Sequence, residues 1–192
     1  MKNKHINQNA ICYSNFLVET DRLIIRPYNI EDDKRYRPIC ENTLNKQKAD
    51  TISNESFCKL VKKYNDNWDL NVEFTFGLFC NKTNYHLGEL ELLVINKQLR
   101  WGNLGIEILS EYRGKGYANE SFQGGLAIAF EKLNFHRIES STELTNTGAL
   151  NLLNNVNSMI FEGNRRKFFP QAGGTDMSVY AANAIDFKKD SE

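Results

Sequence analysis

Two basic residues set among glycines, Arg113-Gly114-Lys115-Gly116, follow the short run Ile106-Glu107-Ile108-Leu109 and precede Tyr117-Ala118-Asn119-Glu120. A strand that breaks into such a turn and then opens a helix makes a site for an anion. Glycine lets the backbone turn tightly and approach a ligand with no Cβ in the way, and the first helical amides have no internal partner. The positive end of the helix dipole, with the charges of Arg113 and Lys115, favours phosphate there. A phosphorylated cofactor is the expected guest. Spacing narrows the choice: a dinucleotide fingerprint needs a third glycine where Asn119 stands, and the Gly-Lys-Ser/Thr triplet of a P-loop occurs nowhere in the chain.

A second group of residues has the chemistry to move protons. Glu107 lies in the strand that feeds the loop and is the candidate catalytic residue. Glu89 and Glu91 alternate on the strand before it, so both project from one face and suit the wall of a cleft as well as a solvated surface. His86 and His136 are candidate bases by residue type, but nothing in their spacing separates a catalytic from a structural role.

The pattern Arg/Gln-x-x-Gly-x-Gly/Ala is filled by Arg113, Gly116 and Ala118. It resembles the pyrophosphate loop of the GNAT superfamily of acetyl-CoA-dependent N-acetyltransferases. Val18-Glu19-Thr20-Asp21-Arg22-Leu23-Ile24-Ile25-Arg26-Pro27 is similar to the opening "E-T-x-R-L-x-L-R-P" strand of its ribosomal-protein N-terminal acetyltransferase branch, and Tyr112 to Glu120 resembles that branch's "G-x-G-Y-A-x-E" loop. The likeness runs from about Phe16 to about Ala182. It implies acetyl-CoA as acetyl donor, with Arg113, Gly114, Lys115, Gly116, Tyr117 and Ala118 around the pyrophosphate. Backbone groups of Ile108 and Leu109 would meet the pantetheine arm, on a strand that splays from its neighbour.

The resemblance also marks Asn146, at the head of Asn146-Thr147-Gly148-Ala149, as a cofactor-side residue, although capping explains an asparagine there equally well. Four residues depart from the family pattern. Leu153 stands where many members place a proton-donating tyrosine, Asn103 where the branch often has a glutamate, and Asn157-Ser158 where Gly-Phe is usual. The implied reaction is direct attack of a neutral amine, a protein N-terminal α-amine or a small-molecule amine, on the thioester. Deprotonating a lysine-like amine at pH 7.4 costs about 4 kcal/mol and an α-amine about 0.5 kcal/mol. The alternative is a non-catalytic CoA-binding module with an eroded acceptor site, and a Rossmann-like nucleotide binder is a third reading.

Around these motifs the chain reads as one α/β (α+β) domain: a mixed, mostly antiparallel central sheet flanked by helices on both faces. Residues 1–15 are expected as a flexible arm, 16–183 as the acetyltransferase domain and 184–192 as a loose polar tail. Period-two alternation gives strands at Phe16 to Tyr28, Glu73 to Cys80, His86 to Ile95, Leu104 to Leu109 and Arg137 to Leu144, with two more around Phe161 to Phe169 and Asp176 to Ala182. Helical spacing gives Ser53 to Asp69, Asn119 to Asn134 and Thr147 to Asn157, and Asn29 caps a further helical stretch. Gly124-Gly125 inside the second helix costs propensity and hints at close packing.

Lysine plus arginine and aspartate plus glutamate number 24 each, so no global field draws the chain to nucleic acid or membrane. Cys12, Cys40, Cys58 and Cys80 lie far apart, without metal-ligand spacing, and suggest free thiols in a reducing cytoplasm. No metal site is expected, and a monomer and a homodimer are both compatible with the sequence. Arg35, Tyr36, Tyr64, Trp68, Phe168 and Phe169 are candidates for an aromatic acceptor wall.

Overall fold

The computed structural model describes residues 13–38, 52–169 and 174–190. Met1 to Ala10, expected as a loose arm, lies outside the described residues, as do Cys12, Cys40, Pro170 and Gly173. Strands β1 (Val18–Glu19), β2 (Leu23–Arg26), β3 (Glu73–Cys80), β4 (His86–Asn96), β5 (Trp101–Ile108), β6 (Arg137–Glu143), β7 (Ile160–Phe169) and β8 (Thr175–Asn183) form one sheet in the order β1-β2-β3-β4-β5-β6-β8-β7. Every neighbouring pair is antiparallel except β5 and β6.

Helix α1 (Asn54–Asp69) starts at Ser53, whose side chain accepts from the Ser56 amide. Its buried Phe57, Val61 and Tyr64 pack with Tyr28, Tyr36 and Phe79 on one face of the sheet. Helix α2 (Tyr117–Ala127) lays Phe122 and Leu126 into the larger core with Leu78, Leu90 and Leu104. Because β3 is covered by both layers it is buried along nearly its whole length, which explains its almost continuous apolar run. The paired glycines of α2 permit its approach. A Cβ at Gly124 would lie 2.4 Å from Ile25 Cδ1, and one at Gly125 would lie 2.5 Å from Leu90 Cδ1.

Several boundaries differ from the sequence expectation. Phe16 to Tyr28 is not one strand but a short helical turn, Tyr13–Phe16, followed by the β1–β2 hairpin. Thr20 makes the reversal, its amide donating to the Leu23 carbonyl (2.9 Å) while its hydroxyl accepts from the Leu23 amide (3.0 Å). Asn29 does cap a helical segment, a 3-10 turn over Ile30–Lys34 closed by a capping box with Asp32. The buried Asp32 carboxylate is also held by both terminal nitrogens of Arg26, at 2.8 and 2.7 Å. Helix α2 begins two residues earlier than expected and passes into a π-helical turn at Ile128–Lys132. Part of the expected tail is helical. Ala184–Asp190 forms helix α4, because Phe187 packs its ring 5.3 Å from that of Phe130 on the core.

β5 and β6 keep register at only three pairs, Trp101–Arg137, Gly102–Ile138 and Asn103–Glu139, whereas β4 and β5 are registered from Gly88–Ile108 to Asn96–Trp101. Beyond Asn103 the two strands part, and Leu104 to Ile108 lose their neighbour on that side.

Candidate functional site

The glycine loop sits where β5 ends, at the head of α2. Gly114 and Gly116 have φ of +72° and +82°, the left-handed region that L side chains adopt only with strain. A Cβ at Gly114 would meet nothing within 4 Å, so the loop faces open space there. The first bond of the helix runs from the Glu120 amide to the Gly116 carbonyl (3.4 Å), and the amides of Tyr117, Ala118 and Asn119 precede it without an intrahelical acceptor. This geometry suits a diphosphate.

Three cations surround the loop. Lys115 Nζ donates to the Glu111 carbonyl (2.9 Å), and Arg113 Nε to the Ile108 carbonyl (2.8 Å). The third, Arg22, carries no role in the sequence reading. Its Nη1 donates to the Lys115 carbonyl (2.8 Å), its guanidinium lies 4.6 Å from the centre of the Tyr117 ring, and Nη2 is 3.2 Å from where a Gly116 Cβ would be. Glu120 holds Arg22 in place, accepting from its Nε at 2.6 Å and its amide at 2.8 Å. The Thr20 hydroxyl donates to the same carboxylate. Burial alone would raise the Glu120 pKa, but Thr20 and Arg22 together bring it below its ordinary value.

The parted strands supply backbone groups as well. Antiparallel bonding alternates along a strand, and the Leu109 amide donates to the Leu87 carbonyl (2.9 Å). Odd-numbered residues of β5 therefore bond towards β4, and Ile106 and Ile108 turn their backbone groups towards the gap left by β6. Leu109 does not share that role. Its carbonyl accepts from Tyr112 (2.9 Å), so both its backbone groups are taken within the protein. Ile106, not singled out in the sequence, is the residue whose backbone faces the gap beside Ile108. Asn146 is the N-cap of α3 (Thr147–Asn155), its side-chain oxygen accepting from the Ala149 amide (3.1 Å). Leu153 is 2% exposed in the main core.

A cavity of about 390 Å³ opens on the α1 face beside this gap, lined by Tyr36, Tyr64, Glu89, Glu91, Gly105, Ile106 and Glu107. Its Gly105–Glu107 wall belongs to the stretch of β5 that β6 has left. Glu107 directly opposes Glu89 across the β4–β5 pair, and Glu91 opposes Gly105, so three carboxylates share one face. Glu107 is bridged to Arg113 Nη2 at 3.2 Å. Glu89 lies deeper. Tyr64 donates to its Oε2 (3.1 Å), and the Tyr28 hydroxyl supports the same carboxylate. Burial raises the Glu89 pKa to about 7, Tyr28 opposes that rise and the neighbouring charge of Glu91 adds to it.

Of the expected aromatic wall, Tyr36 and Tyr64 line the cavity, whereas Trp68 is buried against Phe16, Phe74 and Phe76. Phe168 is half exposed on the edge strand β7. His86 is buried, and desolvation lowers its pKa to about 4. Among the described residues no helix is long and apolar enough to cross a membrane.

Residues 22–157 match the model of the acetyltransferase (GNAT) domain family. The chain is 30% identical over 105 residues to the uncharacterized N-acetyltransferase p20 of Bacillus licheniformis, a match covering 55% of this chain and 58% of that protein. It is 33% identical over 98 residues to the spermidine N(1)-acetyltransferase of Vibrio cholerae, covering 51% of this chain and 56% of that protein. The match thus spans little more than half the length of either relative. The fold is similar to that of the ribosomal-protein-S5-alanine acetyltransferase from Vibrio fischeri, with a TM-score of 0.69 at 16% identity, covering 89% of this chain and 98% of that one.

Proposed function

The chain belongs to the acetyltransferase (GNAT) domain family, and from that premise we propose that it transfers an acetyl group from acetyl-CoA to an amine seated in the carboxylate-lined cavity. The observation that carries this reading is the shared wall: the stretch of β5 that β6 has left borders the cavity at Gly105–Glu107. Donor and acceptor sides thus meet along one strand. The loop residues Arg113, Gly114, Lys115, Gly116, Tyr117 and Ala118, with Arg22 beside them, would hold the donor's diphosphate. Backbone groups of Ile106 and the Ile108 amide would align its arm. When bound, acetyl-CoA supplies an activated acyl carbon.

Glu89 is the base in this reading, in place of Glu107, which its bridge to Arg113 engages. A carboxylate titrating near neutrality is a stronger base than an exposed one, so its mismatch with an ammonium is smaller, and it returns the proton readily to solvent. Glu91 and Glu107 hold positive charge at the mouth. An acceptor with more than one ammonium group matches three carboxylates better than a single α-amine does, and the Vibrio cholerae relative is named for spermidine, an amine of that kind. No acid is needed from Leu153, since a thiol of pKa near ~8.5 leaves readily as thiolate.

Release of CoA thiol from acetyl-CoA, followed with spermidine and with alanine- and serine-initiated peptides, tests the reading. Turnover is expected with spermidine, and Glu89→Gln is expected to lower kcat/KM by about 10²-fold or more. Tight CoA binding with no thiol release on any amine would identify a binding module instead.

A further inference from the structure

Behind Glu89, on the side away from the cavity mouth, lies a buried polar chain that the proposed reaction leaves unused. The Arg37 amide donates to His86 Nδ1 (3.2 Å), and His86 Nε2 lies 2.8 Å from the Tyr28 hydroxyl. The ring is buried among Tyr28, Tyr36 and Phe79 and is neutral, so with Nδ1 occupied as an acceptor its single proton sits on Nε2. Nε2–H then donates to the Tyr28 oxygen, and the Tyr28 proton is left to point elsewhere. The Glu89 carboxylate lies beside it, and its charged form is the one that the Tyr28 hydroxyl favours.

The sheet is shaped for this arrangement. Gly77 on β3 stands directly opposite Glu89 on β4. A Cβ at Gly77 would lie 2.7 Å from Tyr28 Cε1 and 2.5 Å from Phe79 Cε2, so the Tyr28 ring occupies the space that a side chain there would fill. Glycine at 77 brings the hydroxyl beside the carboxylate. On the far side the Tyr28 ring stacks on Tyr64, whose own hydroxyl donates to Glu89.

We infer that Tyr28 and His86 are positioning residues for Glu89: the tautomer of His86 orients the Tyr28 hydroxyl as a donor, which keeps Glu89 an ionised acceptor. This rests on the reading of Glu89 as the base. The groups that face Glu89 are Glu91 on its own strand, Glu73 on β3, Glu107 on β5, Tyr64 on α1 and Tyr28 after β2. The carboxylates disfavour its charge and the hydroxyls favour it. Removing one hydroxyl donor shifts such an equilibrium by about one pH unit.

The test is a carbon-13 NMR titration of the Glu89 carboxyl in the full-length, ligand-free chain. Tyr28→Phe is expected to move its midpoint up by about one pH unit. His86→Leu is expected to move it the same way by less, and His86→Gln, whose amide donates from nearly the Nε2 position, to restore it. A midpoint unmoved in folded Tyr28→Phe overturns the inference, as does an identical shift in His86→Leu and His86→Gln. Should Tyr28→Phe not fold, the two His86 variants decide alone. Failure of the underlying reading appears separately, as Glu89→Gln turning over spermidine at the parental rate.

Discussion

Arg22 and Glu120, far apart in sequence, meet at 2.6 Å through Nε and Oε2 and join the first hairpin to the first turn of α2. The two motifs that carry the family resemblance, Glu-Thr-x-Arg-Leu and Gly-Tyr-Ala-x-Glu, are thus two halves of one contact. Thr20 and Arg22 from the first bind Glu120 from the second, and the bound Arg22 stands over Gly116 and Tyr117.

Glu120→Ala is therefore expected to act on the donor site without touching the donor. Loss of charge-assisted bonds to a half-buried carboxylate should cost about 1–3 kcal/mol of stability. Releasing Arg22 should weaken CoA binding by about tenfold in calorimetric titration. Arg22→Lys keeps the charge but lacks the planar fork, and should recover little of the loss. Parental affinity in both variants would remove Arg22 from the donor site.

Gly125→Ala sets helix propensity against packing. Alanine is favoured by about 1 kcal/mol in a helix interior, yet the added carbon would fall 2.5 Å from Leu90 Cδ1 and 3.2 Å from Leu104 Cδ2, both in the core. Overpacking of this kind costs about 1–3 kcal/mol, so the net change expected in urea denaturation is a loss of stability. A gain would show that α2 has room to lift from the sheet.

The pKa of Glu89 makes a statement about stability. It is raised from 4.5 when exposed to about 7 in the folded chain. Between those values the folded state holds the extra proton, so stability falls as pH rises through that window and the loss is complete above it. Glu89→Gln removes the group that carries the cost. The variant should match the parent at pH 4 and exceed it at pH 8 by up to ~3 kcal/mol in urea denaturation. An equal effect at both pH values would contradict this account.

Leu153→Tyr introduces the residue type that the family resemblance implies at this point of α3, but the side chain lies in the core. Lower stability by about 1–3 kcal/mol and no gain in turnover are expected. Faster thiol release would mean that the position reaches the donor after all.

The glycine loop and its helix were legible in the chain because they rest on backbone demands that only certain residue types meet. Gly114 and Gly116 are glycines for their φ, and the doubled Gly124-Gly125 announced its close packing through the helix propensity it forfeits. The acceptor side was less so. Alternation placed Glu89 and Glu91 on one face, but their difference in burial comes from Tyr28 and Tyr64, which arrive from distant segments. Gly77, the residue that admits Tyr28, looks in sequence like any glycine in a strand. That the backbone groups of Leu109 bond within the protein was hidden for a related reason: which backbone groups of β5 face the gap depends on register with β4, and hydrophobic pattern carries side-chain period but not pairing.

The parting of β5 and β6 also bears on how the domain holds together. Its first five strands and its last three are stitched by three registered pairs, with one strand edge left open between them. A ligand lying along Ile106 and Ile108 would act as a rung in that seam, so that filling it lends cohesion to the whole sheet. In such a molecule recognition of the donor and completion of the fold are a single event, and slower amide exchange across the seam, in β6 as well as β5, would be its trace.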